Sequence, residues 1–281
     1  MSASLGIRAE DARGHDACVV GERDARLDPE SHDMAQTTEA SRDPHPLDKV
    51  VAPPTTRHTR ARVFQAYALI ASAAFVTLAV LAHTIAYFAL DLTITRFVQS
   101  YHGVWFGGLM NGVSWIGFMP QVFFVCLGVA LAMFLVGLRW EAVVLLFATL
   151  DMVVGVLVKV IVGRPRPGAD LVRVLRELNS PAFPSGHVLV IVGFAGFLAF
   201  LAFTLLKPSL GRTIALVALG LLIALMGLSR IYQGQHWFSD VMGAYLMGSL
   251  WLALTIRIYR WGKPRFFVHQ PVARDRDPAA R

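Results

Sequence analysis

Six stretches of the chain are apolar over long distances: residues 63–90, 119–138, 142–162, 187–206, 213–228 and 236–258. About 20 apolar residues in a helix cross the roughly 30 Å hydrocarbon layer of a bilayer, so each stretch predicts a membrane span. Residues 103–118 are also uncharged, and Pro120 separates them from the second span. They are expected to lie at the interface or to re-enter the membrane, where backbone polar groups still need internal partners. The pattern predicts an all-α, polytopic membrane protein, a bundle of six transmembrane helices.

Residues 1–62 break this pattern. They hold nine Lys/Arg and eleven Asp/Glu and no apolar run, the composition of a disordered tail. No basic start followed by an apolar core and a small-residue cleavage site is present there, so the first span is expected to serve as the insertion signal. The expected organisation is a cytoplasmic tail over 1–62, a transmembrane domain over 63–262 and a second cytoplasmic tail over 263–281. Cys18 falls in the tail and Cys126 in an apolar run, which suits neither a disulfide framework nor a cysteine metal site.

Charge sets the orientation. Arg57, Arg60, Arg62, Arg139, Lys207, Arg212, Arg257, Arg260, Lys263 and Arg265 fall on one side of a six-span arrangement, and basic flanks mark the cytoplasmic side. Arg96, Lys159, Arg164, Arg166, Arg173, Arg176 and Arg230 fall on the opposite side, against that rule. A function that needs cations at the outer face of a bacterial inner membrane accounts for them.

Three segments meet at that face: Lys159 to Arg166 and Pro167; Pro184-Ser185-Gly186-His187; and Ser229-Arg230 with His236 and Asp240. No span separates the first two segments and two spans separate the second from the third, so parity places all three together. Phosphoryl transfer needs positive charge around the equatorial oxygens, an in-line nucleophile and a proton donor for the leaving oxygen. Lys159, Arg166 and Arg230 offer the charge, the arginines as bidentate forks. Ser185 is placed to cap a helix whose free N–H groups face an anion, and Gly186 allows close backbone approach. His236 and Asp240, four apart, are expected one helical turn apart, with Asp240 accepting the Nδ1 proton and Nε2 left free to attack. His187 then serves as general acid and base. The outer loops show no clustered carboxylates at metal-ligand spacing, so metal-independent catalysis without a cofactor is expected.

Taken singly, each feature has a plain alternative: Lys159 and Arg166 as snorkelling span ends, Ser185 as a helix cap, His236–Asp240 as a structural pair. Together they resemble the signature of the type 2 phosphatidic acid phosphatase family, Lys-x6-Arg-Pro, Pro-Ser-Gly-His and Ser-Arg-x5-His-x3-Asp, over residues 159–240 without a gap. The resemblance implies a six-helix bundle, a phosphohistidine on His236 and dephosphorylation of a lipid phosphate, such as undecaprenyl diphosphate or a glycerolipid phosphate. A lipid phosphotransferase passing the group to a hydroxyl shares the first half-reaction and stays open. A vanadium haloperoxidase fits poorly with six apolar spans, and a silent lipid-binding protein has no need of an aligned nucleophile. Nucleic acid is not an expected partner, and the sequence does not address oligomeric state. Asp151, deep in the third span, points to a packing or polar-network role. Arg164, Arg173 and Arg176 are equally readable as headgroup contacts or as a solvated loop facing anionic lipid.

Overall fold

The structure is a computed structural model that describes residues 54–118 and 120–266. Nine α-helices and no strand occur among the described residues: α1 Pro54–Thr84, α2 Ala89–Gln99, α3 Val104–Ile116, α4 Gln121–Leu135, α5 Arg139–Ala148, α6 Asp151–Val162, α7 Gly186–Leu205, α8 Leu210–Tyr232 and α9 Phe238–Phe266. Apart from the first turn of α1, all belong to one unit, His58–Arg281.

Among the described residues five spans are long and apolar enough to cross a membrane: Ala61–Thr84, Arg139–Val162, Gly186–Leu205, Leu210–Tyr232 and Phe238–Arg265. The pair α3 and α4, bent by 62°, makes a sixth if it is one broken span. The all-helical, six-span reading therefore stands, with changed boundaries. The first apolar stretch is divided: α1 ends at Thr84 and α2 starts at Ala89. Helix α1 also begins at Pro54, inside the expected tail, and α9 runs past residue 262. The remainder of both expected tails, 1–53 and 267–281, lies outside the described residues.

The span Arg139–Val162 is tightened where α5 meets α6. Thr149 and Leu150 donate their N–H groups three residues back, to Leu146 and Phe147, and the Thr149 hydroxyl also donates to Leu146 O at 2.8 Å. This is a 3₁₀-type turn with side-chain back-bonding, formed without Pro or Gly. Asp151 follows this turn, fully buried, and neither of its carboxylate oxygens has a hydrogen-bond partner, so the expected polar network around it is not formed.

Helix α7 is central, packing against α5, α6, α8 and α9. Of its most apolar window 61% is buried inside the protein, against 6% for α1, whose apolar surface is left to lipid. Close approach allows this: a Cβ on Gly193 of α7 would stand 2.2 Å from Ala148 O. At one end of the bundle Glu141 of α5, buried, accepts from Tyr259 Oη (2.9 Å) and Lys263 Nζ of α9. The other end carries the C-termini of α6 and α8 and the N-termini of α7 and α9, where the signature residues meet.

Candidate active site

The site is built on four helix ends. Gly163 closes α6 in the left-handed conformation, φ 63°, and turns the chain so that Arg164 and Arg166 follow on a loop. Gly234, φ 66°, turns the chain after α8, and His236 follows at once. A Cβ on Gly234 would lie 2.2 Å from Arg173 O, so this turn is both left-handed and closely packed.

A cleft of about 430 Å³ opens between these ends, and Lys159, Arg166, Gly186, His187 and His236 line it. Its remaining wall is largely apolar, including Val122 of α4, Met152, Val156 and Val160 of α6 and Val190 of α7. Arg230, Ser185 and Asp240 stand behind the lining, each fully buried.

Each cation is held. Lys159 Nζ donates to Pro181 O (3.0 Å) and Ala182 O (3.3 Å). Arg166 donates through Nε to Ser180 O (2.6 Å), through Nη2 to Ser180 Oγ (3.0 Å) and through Nη1 to Gln235 O (2.5 Å). Arg230 donates to Gln235 Oε1 (2.9 Å) and Gln233 Oε1 (3.0 Å) and lies 5.2 Å from the Phe118 ring. Phe118 also meets His187 edge to face at 5.1 Å.

His236 departs from the expected helical pair with Asp240. It precedes α9, and its Nδ1 stands 3.7 Å from Asp240 Oδ2, within ion-pair range but beyond a hydrogen bond. Asp240 is otherwise engaged: Oδ2 accepts from Trp237 N (2.8 Å) and Oδ1 from Arg164 Nη1 (2.6 Å). His236 Nε2 lies 3.2 Å from Arg166 Nη1. Guanidinium only donates, so this contact is a hydrogen bond when Nε2 carries the lone pair and Nδ1 the proton. Burial, and then the charges of Lys159, Arg166 and Arg230, hold His236 well below the ordinary imidazole value, which favours that neutral ring. Burial likewise pulls Arg166 down from its ordinary value, while Asp240 acts in the opposite direction.

Among the described residues nine buried side-chain polar atoms lack a partner, and four of them cluster here: Ser185 Oγ, His187 Nε2, Arg230 Nε and His236 Nδ1. Buried polar groups are nearly always satisfied, so these four atoms are exceptions concentrated in one part of the molecule. Ser185 occupies the N-cap position of α7 but makes no cap hydrogen bond, contrary to the expected capping role; its hydroxyl is one of the four. No group of three His, Cys, Asp or Glu is placed to hold a metal ion among the described residues.

Residues 121–264 match the model of the PAP2 superfamily. The chain belongs to that superfamily. Phosphatidylglycerophosphatase B of Bacillus subtilis (strain 168) is 28% identical over 182 residues, 63% of this chain and 86% of the relative. The fold matches the crystal structure of the first transmembrane PAP2 type phosphatidylglycerolphosphate phosphatase from Bacillus subtilis with TM-score 0.61 at 23% identity, over 69% of this chain and 96% of that one. It also matches Aquifex aeolicus LpxE with TM-score 0.50 at 22% identity, over 60% and 96%. The protein is thus a membrane-embedded lipid phosphatase of the PAP2 superfamily, and its multi-pass helical fold is that of transmembrane PAP2 phosphatases.

Three arginines left open by the sequence take distinct places in this PAP2 chain. Arg176 lines the cleft and lies 5.2 Å from Phe118; Arg173 stacks on Tyr232 at 5.0 Å. Arg164 does not face a headgroup: it is buried between Asp91 and Asp240. Sequence reasoning gave no role to Asp91, Gln233, Gln235 or Phe118. Asp91 carried one usable signal, a carboxylate at the edge of an apolar helix, where an ionisable group is expensive.

Proposed function

We propose that this PAP2 protein hydrolyses a lipid phosphate or diphosphate through a phosphohistidine on His236, without a metal, at the outer face of a bacterial inner membrane. The observation that carries the reading is the two-character cleft, lined both by Lys159, Arg166 and the two histidines and by valines of α4, α6 and α7. A phosphate on an apolar chain fits both. The printed name of the Bacillus subtilis relative supports a glycerolipid phosphate, phosphatidylglycerol phosphate, as the first substrate to test, beside undecaprenyl diphosphate and phosphatidic acid.

In the first half-reaction His236 Nε2 attacks phosphorus, the bond to the leaving oxygen breaks, and protonated His187 gives that oxygen its proton. Lys159, Arg166 and Arg230 stabilise the charge on the equatorial oxygens, and Ser185 Oγ and the α7 N-terminus add donors. Arg166 must exchange Nε2 for a phosphate oxygen as substrate enters. Asp240 faces Nδ1 and orients the ring. In the second half-reaction water attacks the phosphohistidine, neutral His187 takes the water proton, and phosphate leaves Nε2.

Orientation follows from charge. The Glu141–Lys263 end of the bundle carries the Arg139 and Arg265 flanks, which supports a cytoplasmic side there and the cleft on the opposite face. Purified protein in EDTA, given each of the three lipids and no acceptor alcohol, is expected to release inorganic phosphate from at least one. Release that requires an added hydroxyl acceptor would make the protein a transferase.

A further inference from the structure

Helix α2 lies outside the residues matched to the PAP2 model, yet it sends a carboxylate to Arg164 and Ser239, beside the catalytic pair. Asp91, 1% exposed, accepts from Phe88 N (3.1 Å), Arg164 Nη2 (2.9 Å), Ser239 N (2.8 Å) and Ser239 Oγ (2.7 Å). Ser239 is in the first turn of α9, whose N–H groups have no partner within the helix. Asp91 therefore caps α9 from a neighbouring helix, next to Asp240. Arg164 completes the link, because its Nη1 donates to Asp240 Oδ1 (2.6 Å) and Ser239 Oγ (2.7 Å) while its Nη2 holds Asp91. Two carboxylates thus share one guanidinium, and Asp240 is the one that faces His236.

We propose that Asp91 is a positioning residue for the His236–Asp240 pair, acting through Arg164 and the first turn of α9. The inference rests on the reading of His236 as nucleophile. Asp91 does not line the cleft and touches no substrate. Its loss leaves Arg164 Nη2 and Ser239 N without their acceptor and gives Arg164 wholly to Asp240, so the carboxylate behind His236 is both less fixed and more fully neutralised. Turnover falls; substrate binding does not.

The test compares His236→Ala, Asp91→Asn, Asp240→Asn and the Asp91→Asn/Asp240→Asn double variant of the full chain in one phosphate-release assay. Asp91→Asn is expected to lower kcat roughly 10-fold to 100-fold, the range in which outer orienting partners act, with KM unchanged. In the Asp240→Asn background it is expected to cost nothing further, since the two act on one path. A merely structural Asp91 would repeat its full loss there, and that result, or a wild-type kcat in Asp91→Asn, overturns the inference while an inactive His236→Ala keeps the mechanism intact. Turnover by His236→Ala overturns both. If Asp91→Asn does not fold, Ser239→Ala, which removes one hydrogen bond to Asp91, replaces it; a reduced kcat at constant KM supports the inference and an unchanged kcat overturns it.

Discussion

Arg166 Nη1 stands 3.2 Å from His236 Nε2, so the cation that is to receive the phosphate also holds the atom that is to attack it. The same guanidinium is fixed by Ser180 through Nε and Nη2 and by Gln235 O through Nη1. An ammonium cannot occupy three such directions in one plane. Arg166→Lys is therefore expected to lower kcat/KM by about 100-fold, the loss seen when one preorganised donor to a developing charge is removed. Steady-state kinetics with the preferred lipid measures it.

Arg164 answers for stability as well as geometry. Both faces of its fork are neutralised by buried carboxylates, Asp91 at 2.9 Å and Asp240 at 2.6 Å, and breaking a buried pair from one side typically costs about 3–5 kcal/mol. Arg164→Ala is expected to lower the thermal midpoint in detergent far more than Arg173→Ala, which removes an exposed arginine from the Tyr232 ring. Thermal unfolding followed by intrinsic fluorescence distinguishes the two.

His236 gives a pH dependence with a definite sign. Its folded value lies well below the ordinary 6.5, so below that pH the unfolded chain takes up a proton that the folded site refuses. Stability contributed by the neutral ring is present above pH 6.5 and is lost as pH falls from there toward the folded value. His236→Gln is expected to flatten this part of the stability curve between pH 6.5 and 5, measured by denaturant unfolding at each pH. Activity follows the same ring: the loss of nucleophile on the acid side of kcat/KM is expected below the ordinary imidazole range.

Gly234 tests the turn that presents His236. A side chain there meets φ 66° and Arg173 O at 2.2 Å, and the left-handed conformation alone costs an L-residue about 1–2 kcal/mol. Gly234→Ala is expected to reduce both thermal stability and kcat, whereas Gly112→Ala, with open space around its Cβ, is expected to change neither.

The spans were legible because apolar length alone defines them, and the parity of three motifs placed Lys159, Arg166, His187 and His236 on one cleft wall. What escaped was set by tertiary contacts. The 63–90 stretch has no Asp, Glu, Lys, Arg, Pro or Gly to break it, yet α1 stops at Thr84, where His83 Nδ1 meets Val162 O at 2.9 Å. The i, i+4 spacing of His236 and Asp240 implied a helix, but α9 begins only at Phe238 because Gly234 turns the chain beside Arg173. Asp91 lies 148 positions from Ser239, and no local pattern joins them.

The most direct test of the account is labelling with phosphate-labelled lipid substrate, quenched in alkaline denaturant. Wild-type protein is expected to carry acid-labile, alkali-stable label on His236, and His236→Ala to carry none and to release no phosphate. Label on another residue, or phosphate release by His236→Ala, would contradict the proposed intermediate.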